Sequence, residues 1–266
     1  MKTAYDDLLR MIVKDKYGGI ACPEALKDAA RAIRGEPLDY VIGWKPFLGA
    51  RIDLSLRPLI PRPETEYWTE KAIKKISGGK KRPTRQVQLI VPAHRKDRTL
   101  RIADVFAGSG AIGIAVLKHV RRAHVDFGDT DPRCIKQIRK NLKLDRISKK
   151  KYRVVRSNIM QGLKGPYDLI LANPPYIARD RKNKVEKGVV RYEPSVALWG
   201  GEDGLRFIRR LLGEAQTHLA PGGELWFEFD SWQKPALAKL LAQSSFKNFA
   251  FHKDQFGKWR YCIVGR

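Results

Sequence analysis

Leu100-Arg-Ile-Ala-Asp-Val-Phe-Ala-Gly-Ser-Gly-Ala-Ile-Gly-Ile-Ala-Val-Leu-Lys-His-Val120 is the stretch that decides the fold. Leu100 to Phe106 is a short, mostly apolar run of the kind a buried strand needs. Ala107-Gly108-Ser109-Gly110 then supplies small residues for a tight turn, and Ala111 to Val120 reads as a helix. A strand feeding directly into a helix is the first half of a parallel crossover unit.

The same rhythm continues downstream. The patterning predicts strands at 124–128, 152–156, 167–172 and 224–229, with helices at 132–144, 203–219 and 234–242. Alternation of this kind specifies an α/β fold with a mostly parallel, doubly wound sheet. Two closing strands, 246–252 and 259–264, are joined only by a short connection through Gln255-Phe-Gly-Lys258. That connection is too short for a crossover, so the pair is a hairpin and one C-terminal edge strand is antiparallel.

Upstream the pattern differs. Leu8, Leu9, Ile12 and Val13 form one helical stripe, and Ala25, Ala29, Ala32 and Ile33 a second. Gly35-Glu-Pro37 ends that helix. Ala50 to Leu56 alternates, with Ile52, Leu54 and Leu56 on one side, as a half-buried strand does. Pro58, Pro61 and Pro63 precede a helix from Thr65 to Ile76. We therefore divide the chain into a small N-terminal helical domain with a β-hairpin junction, 1–57, and a catalytic domain, 58–266. Between 78 and 98 the sequence is basic and irregular, with one candidate strand at 86–91.

The chain holds 53 Lys and Arg against 28 Asp and Glu, a net charge of +25, which attracts polyanions and acidic partners. Cys22, Cys134 and Cys262 are odd in number and far apart, so neither a disulfide framework nor a zinc site is indicated. Reduced thiols are expected, with Cys134 and Cys262 in the core, and no metal. Met1-Lys-Thr-Ala-Tyr-Asp-Asp lacks the basic-then-apolar order of a signal peptide, and no apolar run reaches membrane-spanning length. A cytoplasmic protein without membrane contact is expected.

Three features carry chemistry. The glycine turn, Phe106 to Gly110, opens a helix whose first N–H groups are free for a ligand. About 20 residues on, the next strand ends in Asp129-Thr-Asp131-Pro132, where an acid is placed to take ribose hydroxyls. We choose Asp129, because Asp131 precedes Pro132 and suits a helix cap, while Asp126 lies inside the strand. Asn158 and Ile159, after the third strand, are placed to flank an adenine. Finally, Asn173-Pro174-Pro175-Tyr176 follows a strand directly. Its prolines fix the backbone and offer no donors, leaving an amide and a carbonyl as rigid acceptors for a planar NH2.

Together these resemble the class I, S-adenosylmethionine-dependent methyltransferases, with a Rossmann-like fold. Further segments resemble one branch, the release factor glutamine N5-methyltransferases. They are Gly35 to Gly43 with Phe47, Leu59-Ile-Pro-Arg62-Pro-Glu-Thr65-Glu66, and Glu193-Pro-Ser-Val-Ala-Leu198 with Gly200 to Leu205. Phe227-Glu-Phe-Asp230 with Gln233, and Lys253 to Arg260, also match. The resemblance implies S-adenosyl-L-methionine as cofactor, contacted by Phe106, Ala107, Gly108, Ser109, Gly110, Asp129, Asn158, Ile159 and Asn173. It implies Asn173, Pro174, Pro175 and Tyr176 as the catalytic loop, with Arg62 and Glu193 joining them on the substrate side. The substrate implied is the glutamine of the Gly-Gly-Gln motif of a class I peptide chain release factor. Asn158 stands where the family often has an acid, Phe106 stands in place of a glycine, and the helical part before the junction is short.

Basic residues cluster at 80–101, along one face of the 132–144 helix (Arg133, Lys136, Lys140, Lys143), and at Arg179 to Arg191. The last follows the Asn-Pro-Pro-Tyr loop and reads as a surface lip that meets an acidic substrate or RNA, including ribosomal RNA. The protein is expected to be a monomer. The alternative function is an adenine N6 or other exocyclic-amine methyltransferase acting on rRNA, tRNA or DNA, since adenine offers the same two donors. A non-catalytic RNA- or ribosome-binding protein would require a dead cofactor site.

Overall fold

The computed structural model describes residues 2–77, 98–246 and 248–266. The candidate strand at 86–91, and Lys80, Lys81, Arg82, Arg85, Arg95 and Lys96 of the first basic cluster, lie outside them. Three helices open the chain: α1 (Lys2–Tyr17), α2 (Pro23–Ile33) and α3 (Leu38–Ile42). Ile12, Ala25, Ala29 and Val41 form their own small core. Ile33, expected on that inner stripe, is exposed; it is the last residue of α2, where the chain turns away at Arg34.

A two-stranded hairpin follows, β1 (Trp44–Phe47) and β2 (Ala50–Asp53). The expected strand to Leu56 stops at Asp53, whose carboxylate accepts both the N–H and the hydroxyl of Ser55. That local turn competes with strand pairing, and Leu56 is left exposed. Phe47, Ala50, Ile52 and Leu54 of this hairpin join the core cluster that also holds Ile114, Val116 and Phe127. Gln137 and Asn141 tie the hairpin down, accepting from the N–H groups of Leu56 and Asp53. The next helix, α4, spans Pro63–Ile76.

The main sheet contains β3 (Leu100–Val105), β4 (Ala123–Asp129), β5 (Tyr152–Arg156), β6 (Tyr167–Ala172), β7 (Leu219–Glu228), β8 (Asn248–Lys253) and β9 (Trp259–Gly265). Their order is β5-β4-β3-β6-β7-β9-β8, parallel through β7. β9 runs antiparallel between β7 and β8, so the C-terminal hairpin closes one edge of the sheet. The helices are α5 (Ala111–His119), α6 (Pro132–Leu144), α7 (Lys187–Tyr192), α8 (Arg206–His218) and α9 (Lys234–Ala242). α8 starts three residues later than expected because the Asp203 carboxylate accepts the Leu205 N–H and holds 203–205 in a turn. α6 buries Ile135, Ile138 and Leu142 as its stripe predicts. Cys134 and Cys262 are buried free thiols, as expected.

The segment after the Asn-Pro-Pro-Tyr loop carries short helical turns and lies at the surface. It contains a 3-10 turn at Arg179–Lys184, then α7, then a second 3-10 turn at Ser195–Ala197. Arg181 stacks on Trp232 at 4.4 Å, while Arg179, Lys182, Lys184, Lys187 and Arg191 remain exposed. Among the described residues no helix is long and apolar enough to cross a membrane, and no cluster of His, Cys, Asp or Glu is placed to hold a metal.

Candidate active site

The strand order reverses between β3 and β6, and open α/β sheets bind ligands at the carboxyl ends of strands at such a point. A cavity of about 960 Å³, open mouth included, lies there. Its floor is the turn after β3. Phe106, Gly108 and Gly110 have φ of 59°, 55° and 81°. The left-handed region costs a non-glycine residue roughly 1–2 kcal/mol, and strain of this kind gathers at functional sites. Phe106 is held there with its ring edge-on to Phe207 at 5.9 Å. After β5, Ile159 has φ 57°, rarer still for a β-branched residue, and its carbonyl accepts from the Ser157 hydroxyl at 2.7 Å. Phe106, Phe207 and Ile159 all border the cavity.

Asp129 ends β4 beside this turn. Its Oδ2 accepts the Gly108 N–H at 2.8 Å and its Oδ1 the Asp131 N–H at 2.9 Å. Asp129 borders the cavity, and these bonds do not fill the accepting capacity of its carboxylate. Burial pushes the Asp129 carboxyl above its usual range, against the N–H groups of Asp131 and Gly108. Asp131 does cap α6, accepting the Arg133 N–H at 2.8 Å and pairing with its guanidinium. Asp126 is buried on Arg153 and the Tyr167 hydroxyl. The two rejected acids are thus occupied elsewhere, although Asp131 also reaches the cavity rim.

The opposite wall is the loop after β6. Asn173 and Pro175 border the cavity. The Asn173 Nδ2 lies 3.2 Å from the Thr65 hydroxyl on α4. Thr65 in turn bonds Glu228 Oε2 at 2.7 Å, Trp68 Nε1 donates to the same oxygen at 2.9 Å, and the Tyr176 hydroxyl donates to Oε1 at 2.9 Å. Glu228 is buried at the end of β7. Burial pushes its carboxyl up, and the donors Trp68, Thr65 and Tyr176 oppose that. Burial and the nearby Glu228 push the Tyr176 phenol well above its usual range.

Behind the loop, the buried Gln233 donates to the carbonyls of Tyr176 at 3.0 Å and Asp203 at 3.1 Å, and accepts the Asp230 N–H at 2.9 Å. Gly200 and Gly204 press their backbones on the same loop, and Ile177 pairs with Trp199 as an isolated bridge. In front, Arg62 and Glu193 form an ion pair, and Glu193 also accepts the Ile60 N–H at 3.1 Å. This joins Leu59 and Pro61 to Pro194, Val196 and Ala197 as the outer wall.

The cavity therefore gathers Phe106, Ala107, Gly108, Ser109, Asp129, Asn158, Ile159, Asn173 and Pro175. Gly110, Pro174, Tyr176, Arg62 and Glu193 stand outside its lining. Asn158 is exposed and accepts from Arg210 at 3.3 Å. Thr65, Phe207, Glu228 and Gln233 have no assigned role in the sequence reading. Glu228 carried a signal: an acid among Trp226, Phe227 and Phe229 on a buried strand is costly unless donors converge on it.

Comparison with known proteins agrees with this architecture. The family described as "Methyltransferase small domain" matches residues 81–193. The release factor glutamine methyltransferase of Flavobacterium psychrophilum is 31% identical over 86% of this chain and 75% of its own length. That of Lactococcus lactis is 28% identical over 88% of this chain and 79% of its own. Among solved structures, the ribosomal protein L11 methylase of Lactobacillus delbrueckii superposes with a TM-score of 0.55 at 18% identity, covering 84% of this chain and 89% of that one. Its likeness supports the fold, a class I methyltransferase sheet. The identity and coverage of the curated relatives place the chain in the release factor glutamine methyltransferase family.

Proposed function

We propose that this protein methylates the side-chain amide nitrogen of the glutamine in the Gly-Gly-Gln motif of a class I peptide chain release factor, using S-adenosyl-L-methionine. The observation that carries it is the meeting of Asn173 and Pro175 with Asp129 and the Phe106–Ser109 turn around one cavity. The residues fit the cofactor. Asp129 keeps lone pairs for two ribose hydroxyls, the left-handed turn leaves backbone exposed beside it, and Phe106, Ile159 and Phe207 offer apolar walls. When bound, the cofactor supplies a sulfonium methyl that needs no further activation.

The protein supplies position. A carboxamide nitrogen is a weak nucleophile because its lone pair is delocalised. Holding it on the line of attack contributes up to ~7–11 kcal/mol of barrier lowering in well-oriented systems. The Asn173 side-chain oxygen, on the cavity wall, is one acceptor for the amide NH2; the family resemblance assigns the second to the Pro174 carbonyl, which stands outside the lining. Pro174 and Pro175 keep that carbonyl fixed, and Tyr176 anchors the loop through Glu228. Arg62 and Glu193, paired with each other, position the outer wall. As the N–C bond forms, the methyl–sulfur bond would break to leave a neutral thioether, and the amide nitrogen would lose one proton to water.

We further propose that residues 1–57 serve as an accessory unit and 58–266 as the catalytic unit, acting as a monomer. The exposed cations from Arg179 to Arg191 are assigned to contact with RNA near the release factor.

The test is transfer from labelled S-adenosylmethionine to purified release factor, and separately to rRNA, tRNA and DNA. Labelling of the release factor glutamine alone is expected. Labelling of nucleic acid with none on the release factor would instead establish the exocyclic-amine alternative, which the +25 charge favours. Asn173→Ala should abolish turnover and keep cofactor binding.

A further inference from the structure

We infer that Thr65 and Glu228 form a hydrogen-bond relay that fixes which way round the Asn173 amide stands. The inference rests on the proposed role of Asn173 as an acceptor for the substrate NH2 and adds the device that enforces it.

The direction follows from donor counting. Glu228 Oε2 receives the Trp68 indole N–H, which can only donate, at 2.9 Å. The Thr65 oxygen lies 2.7 Å from the same Oε2. An ionised carboxylate only accepts, so Thr65 spends its single O–H proton there. A proton held by Glu228 falls on Oε1, which faces the single donor Tyr176, and not on Oε2, where Trp68 and Thr65 converge, so Oε2 still accepts. Toward Asn173, 3.2 Å away, the Thr65 oxygen then has lone pairs and no proton. Only the Asn173 NH2 satisfies it. The opposite edge of the planar amide, Oδ1, is thereby left to the cavity that Asn173 borders.

The alternative orientation is penalised twice. It would set Oδ1 against the Thr65 lone pairs, and it would present an NH2 to a substrate NH2. A free asparagine samples both faces, so an unfixed side chain presents the wrong group for part of the time. Thr65 borders the cavity and Glu228 does not; both act through Asn173 and are positioning residues. The three members come from α4, β7 and the loop after β6, so the relay exists only once these elements are packed. It also restricts the substrate, since a group at this point must donate a hydrogen bond.

The experiment compares Thr65→Val, which keeps shape and removes the hydroxyl, with Thr65→Ser, which restores it. Thr65→Val is expected to lower kcat about 10- to 100-fold, in line with the cost of small misplacement. Its S-adenosylmethionine affinity should stay within about twofold and Thr65→Ser within about threefold of wild type in kcat, on the same principle. Should Thr65→Val fail to fold, wild type still decides. Its Asn173 NH2 resonance, identified by its absence in Asn173→Ala, should show one proton protected from exchange. A folded Thr65→Val with wild-type kcat, an inactive Thr65→Ser, or an unprotected Asn173 NH2 overturns the relay. If Asn173→Ala itself keeps wild-type turnover, it is the acceptor role that fails.

Discussion

Gly204→Ala tests the claim that the Asn173–Tyr176 loop is held from behind. Gly204 has φ 71°, and a Cβ built on it would lie 2.2 Å from the Tyr176 carbonyl oxygen and 2.4 Å from Gln233 Nε2. Ordinary contact distances are well over 3 Å, so the loop must retreat by about 1 Å. Two costs add. The left-handed backbone is worth about 1–2 kcal/mol against alanine. Displacing Gln233 from the Tyr176 and Asp203 carbonyls leaves buried polar groups short of partners, about 1–3 kcal/mol. We expect a loss of stability of about 2–5 kcal/mol, the sum of these. The catalytic effect is larger than the stability loss implies, because a 1 Å shift of reacting groups costs roughly a hundredfold in rate. The assays are urea unfolding and steady-state methyl transfer to release factor below the unfolding transition. The buttress argument is refuted by a variant within about 1 kcal/mol of wild type whose kcat is within about twofold.

Three further outcomes are expected. Asp129→Ala should weaken S-adenosylmethionine binding about 10- to 100-fold by calorimetry, the worth of hydrogen bonds to a charged acceptor; unchanged affinity would transfer the ribose contact to Asp131. Gly113→Ala pits helix propensity, about 1 kcal/mol in favour of alanine, against a Cβ only 2.3 Å from the Phe127 ring. Overpacking of about 1–3 kcal/mol should win, lowering the denaturant midpoint; an equal or higher midpoint contradicts the close packing of α5 on β4. In the N-terminal unit, Arg31 holds Glu36 below the usual carboxylate range, against burial and with help from Arg57. Burial raises Asp28, but Lys16, Tyr17 and Arg31 outweigh it and bring it below its usual value. Both folded pKa values lie under the unfolded ones, so this stabilisation is present above about pH 4 and lost as pH falls through the folded values. Arg31→Met should shift acid unfolding of this unit to higher pH, read by Trp44 fluorescence; an unmoved midpoint shows the cluster to be idle.

Much of the molecule was legible before folding because its signals are local. Alternating strands and helices, the turn at Gly108 and Gly110, and the cap at Asp131 depend on neighbours within a few residues. The Asn-Pro-Pro-Tyr loop was legible for the same reason, since proline stiffness is a property of the residue. Errors clustered where a short-range side-chain bond cut an element, as Asp53 does to the second strand and Asp203 to the eighth helix.

What the sequence by itself determined was the inventory: a parallel sheet, a glycine turn, an acid at the end of the next strand and an amide before two prolines. Only the tertiary structure decided how those groups are held. Thr65 and Glu228 are separated by 163 positions, Arg62 and Glu193 by 131, and no periodicity links them. They meet because the strand order reverses between β3 and β6 and brings α4, β7 and the loop after β6 to one crevice. Hydrogen-bond direction is a property of a whole chain of partners. A sequence shows which donors and acceptors exist; the packed fold decides which of them remain unspent at the site.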